Sequence, residues 1–103
     1  MKQKENAVYD LPALCEAGLI EAAKKYDIHR LILFGSRARA GAFERSDVDI
    51  AVLGGDADGF CFDIEESVDT LLSFDVVDMS ETLSDKLKSE IEKDGVILYE
   101  KIR

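Results

Sequence analysis

Two apolar segments flank a polar loop in the first half of the chain, and they constrain the fold more than any other feature. Residues 31–34 form a continuous apolar run that stops at Gly35, and residues 48–53 form a second run that stops at Gly54. Short apolar runs bounded by glycine are typical of buried strands. We therefore expect both segments to lie inside one sheet.

The rest of the chain alternates between helical and strand patterns. Apolar residues at helical spacing predict a helix after Pro12, a second helix around Ile64, Val68 and Leu71 that follows an acidic loop at 54–59, and a third helix over 80–94. Further strands are predicted at 74–79 and 96–99. This order indicates an α/β (α+β) domain with a single sheet flanked by helices, and it leaves the strand directions open.

Length and composition favour one domain over residues 1–103. Hydrophobic residues make up 47% of the chain, which is enough for a core, and the net charge is −9. A negative field of this size makes nucleic acid an unlikely partner. No apolar run approaches the ~20 residues that span a bilayer, and the charged beginning of the chain does not read as a signal peptide. We expect a cytoplasmic protein without a membrane role, in which an exposed strand could pair with another copy.

The negative charge is confined to the second half of the chain. Residues 1–55 carry eight basic and eight acidic side chains, whereas residues 56–103 carry five basic and fourteen acidic ones. A site that needs positive charge is therefore expected in the first half. The acidic half is either a solvated face or a docking surface for a basic partner.

The cysteines and the histidine give little indication of a site. Cys15 and Cys61 belong to no CxxC pair and are expected as small buried residues within helices, without a disulfide. His29 has no second histidine or cysteine at ligand spacing, so a metal role is not expected for it.

The glycine-serine turn after the first strand is a candidate phosphate site. Gly35 allows a sharp turn and a close approach of a ligand, and Ser36 could begin a short helix over 36–40. Arg37 and Arg39 follow, with Arg45 further on, and guanidinium groups match phosphate oxygens. The segment is not a Walker A loop, since no Gly-Lys-Ser/Thr follows. Taken alone, a Gly-Ser turn is more often an ordinary loop.

Asp47 and Asp49 stand at the start of the second strand with one residue between them. Residues i and i+2 of a strand share a face, so the two carboxylates lie close together while Val48 and Ile50 face the core. Their mutual repulsion favours a hard divalent cation such as Mg²⁺ between them. The alternative is a pair of solvated aspartates.

A third carboxylate is available on the strand at 74–79. Asp75 and Asp78 are three residues apart, so they face opposite sides and only one of them can join the pair. Periodicity does not choose between them, and Asp78 could instead begin the next helix. Three carboxylates, two magnesium ions and basic side chains that bind the phosphates are the groups that phosphoryl or nucleotidyl transfer requires.

These residues resemble the signature of the DNA polymerase β-type nucleotidyltransferase superfamily. The match consists of Gly35-Ser36, ten further residues, Asp47-Val48-Asp49, and an aspartate on the next strand. The segments GSRARA, SDVDIAV and IEKDGVILYE resemble those of the minimal nucleotidyltransferases (MNT) of that superfamily. The resemblance covers about residues 11–101 and implies a mixed sheet.

The resemblance also implies roles for individual residues. Gly35, Ser36, Arg37 and Arg39 would bind the nucleotide, and Asp47, Asp49 and Asp75 would be the catalytic residues and the ligands of two Mg²⁺ ions. Asp75 rather than Asp78 is the family's third carboxylate. The family often has glycine at position 40, where this chain has Ala40 followed by Gly41. This departure weakens the assignment of Arg39.

The function implied is Mg²⁺-dependent transfer of a nucleoside monophosphate from a nucleoside triphosphate to a hydroxyl group; AMP from ATP is the expected case, although the sequence itself leaves the base open. Minimal members of the family often work with a helical HEPN partner in toxin–antitoxin pairs, so a partner protein is the expected acceptor. One alternative is an antitoxin-like binding module that neutralises its partner by contact, with little or no catalysis. Transfer to a small molecule is the remaining possibility.

Overall fold

A single mixed sheet organises the computed structural model of the chain, which describes residues 1–39, 47–68 and 72–102. Within these residues the strands are β1 (Lys2–Gln3), β2 (Arg30–Phe34), β3 (Val48–Leu53), β4 (Phe74–Asp78) and β5 (Val96–Glu100). The helices are α1 (Ala13–Lys25), α2 (Ala57–Ser67) and α3 (Asp85–Asp94), with 3₁₀ turns at Lys4–Asn6 and Ser36–Arg39. No helix in this described part is long and apolar enough to cross a membrane.

The strand order is β1-β5-β2-β3-β4, in which β2 is antiparallel to both of its neighbours, β3 and β5. The outer pairs are parallel: β1 lies beside β5, and β4 lies beside β3. The mixed sheet implied by the family resemblance is therefore confirmed. The parallel β3–β4 pair follows from α2, which supplies the crossover between them.

The sheet is covered by helices on both faces. Alternate residues of β2 and β3, such as Leu31, Leu33 and Ile50, pack under α1 and α2 in the main core. The intervening residues Ile32 and Ala51 face α3 in a smaller cluster. Because both faces are covered, the central strands are mostly apolar, with Asp49 as the exception within β3.

Two helix boundaries differ from the sequence prediction. The third helix begins at Asp85 rather than at residue 80, because the Ser84 hydroxyl accepts a hydrogen bond from Leu87 N at 3.2 Å and caps the helix there. The second helix begins at Ala57, inside the predicted loop, with Asp56 accepting from Gly59 N at 3.0 Å. It ends at Ser67, and the predicted position Leu71 lies outside the described residues.

The two ends of the chain add small differences. The short β1 and the 3₁₀ turn after it were not predicted, since their charged sequence carries no strand pattern. Pro12 lies just before the first residue of α1. The last strand extends one residue beyond the prediction, and β4 ends one residue before it. Cys15 and Cys61 are free and lie on α1 and α2, as expected, but only Cys15 is buried, whereas Cys61 is partly exposed.

Candidate functional site

The turn after β2 brings the chain directly against a carboxylate of β3. Gly35 has φ of 75°, a conformation that side chains disfavour, and it is buried. A Cβ at this position would overlap Oδ2 of Asp49 and lie 3.1 Å from its Cγ. The 3₁₀ turn Ser36–Arg39, which we call the serine turn, starts immediately after it. Glycine is therefore required for the serine turn to approach Asp49.

Asp49 and Asp75 are paired in register on the parallel strands β3 and β4. Neighbouring strands lie about 4.8 Å apart, and partners in register share a face, so the two side chains stand next to each other. That face is the one covered by α3, because Phe34 is the partner of Asp49 on β2 and packs in the α3 cluster. Asp49 is half-buried and Asp75 is exposed.

The pKa of Asp49 is raised above its ordinary value by its surroundings. Burial is the largest cause, followed by the negative charges of Asp75, Asp47 and then Glu90, while the positive charge of Arg39 partly opposes the shift. A carboxylate in this environment is held among like charges. A cation placed at this edge of the sheet would relieve that repulsion.

Asp47 lies one residue before β3 and is exposed. Val48 and Ile50 are fully buried in the main core, as predicted, which leaves Asp47 and Asp49 on the opposite side of the strand. Within residues 1–39, 47–68 and 72–102, no three His, Cys, Asp or Glu side chains are arranged to hold one ion. The oxygen chemistry of the Asp49–Asp75 pair fits Mg²⁺. That all three carboxylates share an ion stays a prediction.

Arg37 lies inside the protein rather than at its surface. Its side chain is 2% exposed, and Nη1 donates to the carbonyl oxygen of Asp10 at 3.1 Å and lies 3.8 Å from Oδ1 of the same residue. Asp10 N in turn donates to the Arg37 carbonyl at 2.8 Å. These contacts join the serine turn to the segment before α1. A role of Arg37 in phosphate binding stays a prediction.

Arg39 is exposed and connects the serine turn to α3. Its Nη1 donates to Oδ2 of Asp94 at 2.9 Å. Its positive charge also acts on Asp49, where it partly opposes the rise in pKa. Ser36 is partly exposed at the start of the same turn. The turn predicted over 36–40 is therefore present as far as Arg39, while Ala40, Gly41 and Arg45 lie outside the described residues.

Sequence reasoning missed two acidic residues of α3 that face this region, Glu90 and Asp94. The helical spacing could have identified both residues. Glu90 stands three residues after Leu87 and Asp94 three residues after Ile91, and Leu87 and Ile91 pack on the sheet. Residues three apart on a helix are neighbours, so Glu90 and Asp94 flank the buried stripe.

Asp78 lies away from the Asp49–Asp75 pair and accepts hydrogen bonds from Ser80 N at 2.9 Å and Ser80 Oγ at 2.7 Å. It stabilises a turn and does not cap α3.

Together, the mixed sheet, the serine turn and the paired carboxylates define a domain of the nucleotidyltransferase class. The family model described as "Polymerase beta, Nucleotidyltransferase" matches residues 18–103, and the chain belongs to this family. The comparison with curated proteins gave no match.

Solved structures share the fold. A toxin–antitoxin crystal structure with AMP-PNP superposes with a TM-score of 0.67 at 23% identity, covering 84% of this chain and 73% of that chain. A mutant of the toxin–antitoxin MntA-HpeT gives a TM-score of 0.66 at 21% identity, with the same coverage of both chains. At these identities the likeness shows a common fold.

Proposed function

We propose that this chain is a Mg²⁺-dependent nucleotidyltransferase that moves AMP from ATP to a hydroxyl group of a partner protein, of the HEPN toxin kind. The observation that carries the proposal is the registered pair Asp49 and Asp75 beside the Gly35 turn. Membership of the nucleotidyltransferase family supports the reaction type. The similar fold of a toxin–antitoxin structure with AMP-PNP supports the nucleotide and the protein partner.

In this proposal the acceptor hydroxyl oxygen attacks the α-phosphorus of ATP. The bond between that phosphorus and the bridging oxygen to the β-phosphate breaks, and pyrophosphate leaves. Asp75 is exposed and ionisable, and it receives the proton of the hydroxyl. Asp47, Asp49 and Asp75 would hold Mg²⁺, which supplies charge neutralisation at the reacting phosphate when it is bound.

The serine turn supplies the contacts to the remaining phosphates. Ser36 is partly exposed, so its hydroxyl can donate to a phosphate oxygen. Gly35 lets the backbone approach the nucleotide closely. Arg39 is exposed and its charge acts on Asp49, which suits it to neutralise the triphosphate once its contact with Asp94 is exchanged. Arg37 is buried against Asp10, so in this proposal it holds the turn in place, and a contact of its guanidinium with phosphate stays a prediction.

The test is transfer from labelled ATP to a co-expressed HEPN-type partner protein, with and without Mg²⁺. We expect the intact partner to gain the mass of AMP and pyrophosphate to be released in equal amount. The Asp49→Asn variant should produce neither. A partner that is neutralised equally well by Asp49→Asn, with no added mass, would instead identify a contact-only antitoxin and overturn the catalytic proposal.

A further inference from the structure

The outer edge of β4 is open within the described part of the chain, where β4 is the last strand of the sheet. Val48 N donates to the Ser73 carbonyl at 2.9 Å, and bonds in a parallel ladder then alternate along the strand. The N–H and C=O groups of Phe74 and Val76 therefore point away from β3. The β3–β4 register has no bulge and β4 has no proline or lysine, so the protection of this edge comes from its shortness and from the negative charges of Asp75 and Asp78.

A groove of about 320 Å³ runs beside this edge, between α2 and the loop after β4. Its apolar lining includes Ala57, Cys61, Val76 and Leu83. Phe62, next to Cys61 on α2, is 68% exposed. An open strand edge next to an apolar groove is the arrangement that binds extended peptides, whose alternate side chains enter the groove.

The polar lining of the groove is acidic. Asp58, Asp78 and Glu81 contribute to it, and it contains no lysine or arginine among the described residues. Burial raises the pKa of the Cys61 thiol, and the charges of Asp58, Glu65 and Asp78 raise it further. The floor of the groove is thus surrounded by negative charge.

This charge selects among possible occupants. A second copy of the chain would bring the same acidic groove and a net charge of −9 against it, which is repulsive. Nucleic acids and anionic membranes are repelled for the same reason. A polypeptide segment with lysine or arginine side chains is attracted, and the open backbone groups require it to be extended.

We propose that the β4 edge and its groove form the docking surface for an extended, basic segment of a partner protein. A segment paired with Val76 would lie one residue from Asp75 along β4. If the function proposed above holds, such docking would carry an acceptor hydroxyl of the partner towards the site. The docking itself depends only on the edge, the groove and the charge.

The test uses fluorescent peptides of alternating lysine and valine, without nucleotide. We expect the Lys-Val peptide to bind, and a Glu-Val peptide not to bind. A Lys-Val peptide with proline at alternate valines has the same charge but lacks the backbone donors, so it should bind at least about tenfold more weakly. Binding should also slow amide hydrogen exchange at Val76, whose N–H faces the edge.

Matched charge reversals locate the peptide. Glu81→Lys, at the groove, should weaken binding by about tenfold or more, whereas Glu92→Lys, exposed on α3, should change it less than about twofold. Equal weakening by both variants, or unchanged exchange at Val76, would mean diffuse attraction and would overturn the proposal. Peptide binding by a wild-type protein that transfers no AMP counts only against the catalytic function. ATP binding without peptide binding counts only against the docking surface.

Discussion

The carboxylate of Asp49 occupies the space that a Cβ of Gly35 would need, and this contact joins the end of β2 to the start of β3. The same carboxylate is the partner of Asp75 across β3 and β4. One residue thus touches the serine turn and belongs to the acidic pair. The site depends on this packing as much as on the acidic residues themselves.

Gly35→Ala is expected to lose both stability and activity. The new Cβ meets Asp49, and the alanine must adopt the positive φ that the turn already has at Gly35, which costs about 1–3 kcal/mol of unfolding free energy. Gly54→Ala is the matched control, because Gly54 has φ of 78° and its Cβ would overlap the His29 ring, away from the site. Urea unfolding should show that both variants are destabilised. Transfer per folded molecule should fall only in Gly35→Ala, and equal activity in both would contradict this account.

Asp49→Asn is expected to stabilise the metal-free protein at neutral pH. The pKa of Asp49 is raised, so its ionised form is disfavoured in the fold, and stability from this group is lost as the pH rises through the folded-state pKa. Removing a charge that lies opposite Asp75 should contribute about 0.5 kcal/mol. Thermal unfolding in the presence of a chelator measures the change.

Asp78→Asn serves as the control for the thermal unfolding of Asp49→Asn, because the pKa of Asp78 is shifted in the opposite direction. Hydrogen bonds from Ser80 lower the pKa of Asp78, so its contribution is present above the ordinary value of 3.8 and is lost as the pH falls below it. Asp78→Asn should therefore not stabilise the protein at neutral pH. Stabilisation of both variants alike would indicate a general effect of net charge rather than repulsion at the pair.

The two arginines of the serine turn should separate into different roles. Arg37→Gln removes a buried guanidinium that bonds to the Asp10 carbonyl, which should cost about 2 kcal/mol or more of unfolding free energy. Arg39→Gln breaks an exposed ion pair worth less than about 1 kcal/mol, yet it should weaken ATP binding by about tenfold. Calorimetric ATP titrations alongside denaturation distinguish the two. A large loss of stability with unchanged ATP binding in Arg39→Gln would reverse the assignment.

Tyr9 should give the protein a stability transition in the alkaline range. Burial and the hydrogen bond to Glu16, 2.6 Å long, raise the pKa of Tyr9 to about 12. The protonated phenol therefore favours the fold, fully below pH 10.0 and progressively less as the pH rises towards 12. Denaturation midpoints of the wild type should fall across this range more steeply than those of Tyr9→Phe. Parallel curves would contradict the role of this contact.

Much of the architecture follows from local pattern. The apolar runs at β2 and β3, the burial of Val48 and Ile50, and the turn at Gly35 are dictated by burial and by backbone sterics, which act residue by residue. The order of the strands and the register of Asp49 with Asp75 depend on contacts distant in sequence, which periodicity does not encode.

The start of α3 and the partners of the two arginines could not be predicted from the local sequence. Ser80 and Ser84 can both cap a helix, and only the packing of α3 on the sheet selects Ser84. Arg37 and Arg39 have the same chemistry and stand two residues apart. The tertiary fold places Arg37 inside the protein, in contact with Asp10, and Arg39 at the surface, in contact with Asp94.

The most direct test of the proposed catalysis compares two aspartates of the same strand. Transfer of labelled AMP from ATP with Mg²⁺ is measured for the wild type, Asp75→Asn and Asp78→Asn. We predict that Asp75→Asn loses about a hundredfold or more of the rate, since its carboxylate lies beside Asp49, and that Asp78→Asn retains it, since its carboxylate serves the Ser80 turn. Wild-type transfer by Asp75→Asn would contradict the account.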